Sequence, residues 1–62
     1  KMDTTRKYRK VKNGKTTGYM KYVEHFEEWV VYNMRSEKAK HYRDFDKAYS
    51  ALWKIKGDIE FS

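Results

Sequence analysis

Ala48, Leu52, Ile55 and Ile59 fall at i, i+4, i+7 and i+11, the spacing of one face of an α-helix. Ala51 widens that stripe, and Tyr49 and Trp53 flank it. The end signals agree with the stripe. Asp46 is the expected N-cap: its carboxylate can accept from a free N–H of the first turn, and its charge suits the positive end of the helix dipole. Lys54 and Lys56 suit the negative end, and Gly57 can take the left-handed conformation that closes a helix.

Upstream the period shortens. Residues 6–12 run into Asn13-Gly14, a pair that tolerates positive φ at both turn positions and so predicts a two-residue hairpin. The second strand is expected from about Thr16 to Val23, with Gly18 marking a bulge or the close approach of another backbone. Lys7, Arg9 and Val11 oppose Tyr8, Lys10 and Lys12 on the first strand. On the second, Tyr19, Lys21 and Val23 oppose Met20, Tyr22 and Glu24. Large side chains occupy both sides, so parity leaves open which side meets the helix.

Residues 29–34 are rich in β-branched and aromatic side chains and predict a third strand, with residues 25–28 as the connection. A second reading competes. Phe26, Trp29, Val30 and Met34 also fit helical spacing, and no Gly or Pro lies between Gly18 and Gly57, which would allow a helical hairpin over residues 24–56. The poor helix propensity of Val30, Val31 and Tyr32 favours the strand. Residues 36–40 read as a loop or a far hairpin turn, and residues 41–45 as a short fourth strand. The expected fold is one small α+β domain spanning residues 1–62. In it, a three- to four-stranded antiparallel sheet carries one C-terminal helix on one face and leaves the other open. Residues 1–5 have no period and are expected to be a frayed end, and Lys1 where a start methionine would stand suggests a processed start.

Eleven aromatics in 62 residues can supply a compact core and argue against disorder, despite a charged fraction of 39%. The absence of cysteine removes disulfides and thiolate chemistry and is compatible with a cytoplasmic protein. No apolar run is long enough to cross a membrane. The net charge of +6 is unevenly spread. Residues 1–21 carry eight Lys/Arg against one Asp, residues 22–37 one Arg against four Glu, and residues 38–62 six Lys/Arg against four acids. The positive field therefore belongs to the N-terminal third, which favours a polyanion.

His25 and His41 have carboxylates nearby in sequence, but no phosphate loop, nucleophile motif or metal-ligand spacing accompanies them. A non-enzyme without cofactor, metal or small-molecule substrate is expected. Nucleic acid, DNA ahead of RNA, is the expected partner. Arg6, Lys7, Arg9, Lys10, Lys12, Lys15 and Lys21 are the candidate phosphate contacts, and Tyr8 and Tyr19 the candidates to pack on sugar or base. The alternative is a small adaptor or inhibitor, of the kind phages direct at host factors, that engages a protein partner or a second copy through exposed aromatics.

The strand order, together with Phe45, Asp46 and Ala48 at the helix start and the Asn13-Gly14 hairpin, resembles a known family. It is similar to the N-terminal arm-type DNA-binding domains of phage and transposon tyrosine recombinases, themselves like the plant Apetala-type domain. The resemblance implies that a basic three-stranded sheet enters the DNA major groove, with Arg6, Arg9, Lys10, Lys12, Lys15 and Lys21 in contact. The acidic cluster Glu24, Glu27 and Glu28 departs from that pattern, since phosphate would repel carboxylates on the binding face.

Overall fold

The structure is a computed structural model that describes residues 7–61; the expected frayed end and Arg6 lie outside the described residues. Its elements are β1 (Tyr8–Lys12), β2 (Lys15–Val23), β3 (Glu28–Asn33), β4 (Lys38–Tyr42), α1 (Phe45–Trp53) and β5 (Asp58–Phe61). The strands form one antiparallel sheet in the order β4-β3-β2-β1-β5, with α1 packed over β3 and its neighbours β2 and β4. The α+β expectation holds. The alternative helical hairpin does not form, because residues 28–33 and 38–42 are strands.

The Asn13-Gly14 turn forms as expected, with φ of 53° and 77° between the paired Lys12 and Lys15. The two other hairpins use four-residue turns that end on a glutamate in the left-handed region, Glu27 at φ 52° and Glu37 at φ 57°. Asn33 supports the second of these, its Oδ1 accepting from the Arg35 and Ser36 amides.

Helix and strand limits differ from expectation in instructive ways. The N-cap is Asp44, whose Oδ1 accepts from the Asp46 amide at 3.1 Å. Phe45 is drawn into the first turn because its ring packs on Tyr8 and Trp29. The helix ends at Trp53, and Ile59 lies on β5, a strand that pairs with β1 and that the helical spacing concealed. Gly57, at φ 127°, serves the turn into β5, where a Cβ would stand 2.9 Å from the Val11 carbonyl oxygen. The fourth strand begins at Lys38, earlier than expected.

Register divides the helix-facing side into three rows. Tyr22, Trp29 and Tyr42 form the first, Tyr8, Met20, Val31 and Lys40 the second, and Lys10, Gly18, Asn33 and Lys38 the third. Ala48 and Leu52 close over Tyr8, Met20, Trp29 and Val31, all buried, and burial of side chains the size of Leu52 and Met20 contributes ~1.5–3 kcal/mol each. Apart from Lys40 at the β4 edge, the first two rows are aromatic and aliphatic, and the Tyr8 ring meets Trp29, Phe45, Tyr49 and Phe61. The third is thin. There Ile55 lies directly on Gly18, where a Cβ would stand 2.7 Å from its Cδ1 and 2.9 Å from the Tyr32 carbonyl oxygen. Gly18 thus marks a close approach, and the register shift between Lys10 and Val11, which skips Thr17 on β2, adds the expected bulge beside it.

Candidate nucleic-acid interface

The sheet face away from the helix carries a row of Arg9, Tyr19, Tyr32 and Ala39, and beside it a row of Lys21, Val30 and His41. Strand alternation places them there, since their neighbours in sequence fill the helix side. The Tyr19 and Tyr32 rings lie 5.3 Å apart with planes tilted by 30°, and the Lys21 ammonium stands 5.8 Å from the Tyr19 ring. Lys7, Arg9, Tyr19 and Lys21 line one depression at the sheet edge together with Glu60 and Phe61, with the edges of the buried Tyr8 and Met20 at its floor. Four of the nine expected site residues thus meet on one open surface.

Two of the nine are placed elsewhere. Tyr8 is 8% exposed and forms part of the core, where its ring is surrounded by four others. Lys10 is 4% exposed on the same side; its Nζ donates to the Trp53 carbonyl at 3.2 Å and lies 5.5 Å from the Trp53 ring. A cation there meets the negative end of α1 and an otherwise unpaired helix carbonyl. Lys10 is therefore a helix-capping group, which corrects its assignment as a phosphate contact. Lys12 and Lys15 are exposed at the Asn13-Gly14 turn, where they extend the basic surface past the sheet.

The open face is not purely cationic. Arg9 Nη2 is 3.0 Å from Glu60 Oε1, with both side chains about half exposed. Glu28 contacts His41 Nδ1 at 3.4 Å and Arg43 Nε at 3.9 Å at the opposite end. Glu24 and Glu27 occupy the β2–β3 turn, which antiparallel connection puts at the end remote from Asn13-Gly14. The acidic cluster that disturbed the sequence pattern is thereby separated from the Lys12–Lys15 hairpin.

Cations that the sequence reading did not assign to a binding surface gather at the hairpin end. Arg35 lies in the β3–β4 turn and Lys38 follows it, and Lys54 and Lys56, expected only as helix-end charges, follow the helix. The signal that could have found them is antiparallel connectivity, which brings alternate turns to one end of a sheet. Among the described residues no cluster of three or more His, Cys, Asp and Glu could hold a metal, and no helix is long and apolar enough to cross a membrane. No protein-family model, curated protein or solved structure matches the chain.

Proposed function

We propose that this chain is a nucleic-acid-binding domain, with duplex DNA as its ligand, that uses the open sheet face and the Asn13-Gly14 hairpin. The observation that carries the reading is the tyrosine pair on β2 and β3, with Arg9 and Lys21 beside Tyr19, on a face that none of the described elements covers. Lys7, Arg9 and Lys21 contact phosphate from the face, and Lys12 and Lys15 do so from the hairpin. A two-stranded ribbon such as the β1–β2 hairpin is narrow enough for the major groove, and phosphate contacts set its position there while leaving sequence largely unread. The Arg9–Glu60 pair is a small obstacle, because an exposed ion pair contributes only about 0–1 kcal/mol and phosphate can take the carboxylate's place. The resemblance to recombinase arm-type domains supports the same mode, although two of the five strands, one before the helix and β5 after it, have no counterpart in their order of three strands and a helix.

A protein-partner reading draws on Trp53 and Phe61, which are 65% and 57% exposed beside Tyr49 and Ile59 at the helix–β5 groove. One pair of variants separates the two. Arg9→Glu with Lys21→Glu abolishes duplex binding at low salt while the fold persists, and Trp53→Ala leaves it unchanged. Wild-type affinity in the double charge reversal removes the open-face reading.

A further inference from the structure

The third row on the helix side of the sheet is polar where a covered sheet would be apolar, and there the surface opens. Lys38 pairs with Asn33 and Lys40 with Val31, so both lysines stand on the side that faces α1. With Lys54 from the helix end they line an open groove of about 340 Å³. Asn33, Lys54 and Ile55 are shared with an adjoining stretch of about 370 Å³, to which Lys12, Arg35 and Lys56 contribute. Neither stretch has a carboxylate in its lining, and none of these six cations makes an ion pair among the described residues. Lysines on β4 alone would be accounted for as protection of an edge strand. That account does not explain why Arg35, Lys54 and Lys56 converge on the same concavity from a turn and a helix end. Like charges gathered in a cleft repel one another and concentrate anions.

We propose that this groove is a second phosphodiester-binding site, which holds a nucleic-acid backbone on the helix side of the sheet. The proposal rests on the nucleic-acid reading above and extends it. Apart from Lys12, at the hairpin that borders both, the open face and the groove lie on opposite sides of one sheet, so a straight duplex laid on the first does not reach the rest of the second. At saturation the protein therefore carries two nucleic-acid segments.

The test is an amide-resolved titration of the whole chain with a short DNA duplex at low salt, carried past two equivalents. The expected result is an early set of shifts at Arg9, Tyr19 and Lys21 and a later set at Asn33, Ser36, Lys38 and Lys54. Lys38→Gln with Lys54→Gln loses the later set and keeps the early one, and Lys40→Gln weakens only the later set. The salt dependence of the later step falls by roughly 0.9 in log–log slope per lysine removed. A later set that is missing in the wild type, or that survives the double variant, overturns the groove and leaves the open face standing. Equal shifts with inorganic phosphate at matched phosphate concentration overturn the backbone assignment in favour of a small-anion site. Absence of both sets removes the open-face reading and the groove with it.

Discussion

The two ends of the helix–sheet sandwich are built differently. At the end that carries the β2–β3 turn and the helix N-terminus, Tyr22, Trp29, Tyr42 and Phe45 fill the interface, and Glu24, Glu27, Asp44 and Asp46 face solvent around them. At the end that carries the other two hairpin turns and the helix C-terminus, Gly18, Asn33 and Ile55 leave the interface thin and lysines surround it. Burial is concentrated where charge is acidic, and cations are concentrated where little apolar surface needs covering. A domain this small supplies roughly 3–5 kcal/mol from its core, so it gains by placing repelling charges where they disturb the fewest core contacts.

That contrast is most strongly tested by truncation at each end. Trp29→Ala should cost about 3–5 kcal/mol, enough to remove most or all of the cooperative urea transition, whereas Ile55→Ala, half-buried at the thin end, should cost at most ~2 kcal/mol and keep one. Equal losses would mean that the ends share the core evenly. Charge is the next lever. Lys12→Glu with Lys15→Glu should weaken duplex binding roughly tenfold or more at low salt, and the loss should shrink as salt is raised. Glu24→Lys with Glu27→Lys, at the remote end, should leave affinity unchanged or slightly raised when duplex binding is read by fluorescence anisotropy.

Lys10 sharpens the comparison further, because it is a cation that serves the fold. Lys10→Ala should destabilise the protein by about 1–2 kcal/mol through loss of its bond to the Trp53 carbonyl and of its buried stem. Duplex affinity of the folded variant should stay near that of the wild type. The smallest effect expected is a gain. Glu37→Gly removes the strain of a left-handed glutamate in the β3–β4 turn and should stabilise by about 0.5–1 kcal/mol, read as a raised denaturation midpoint.

Much of this architecture was legible in the residues. Asn13-Gly14 fixes its own turn type, and the stripe of Ala48 and Leu52 fixes the helix face, because both are local properties of the chain. The errors came from tertiary demands. Phe45 joins the helix two residues early since its ring completes an aromatic cluster, and Ile59 matched the helical period by coincidence while belonging to a strand paired with β1. Alternation correctly put Tyr8 and Lys10 on one side. It left open which side meets the helix, since both sides carry cations, and only the position of the Trp53 carbonyl shows why a lysine is buried there. Lys38 and Lys40, read as part of a loop, and Lys54, read as a helix-end cation, were not joined into one surface because they are far apart in sequence, and they converge only after register and helix direction are set.

The open-face account is tested most directly by whether duplex DNA perturbs the surface around Tyr19. An amide-resolved titration with a short random duplex, at low and then moderate salt, should move Lys7, Arg9, Lys12, Lys15, Tyr19 and Lys21 first, while Glu24 and Glu27 stay still. Affinity should fall with salt at a log–log slope of roughly −0.9 per phosphate neutralised. A spectrum unmoved at low salt, or one that moves only around Trp53, would contradict the account and leave the protein-partner reading in its place.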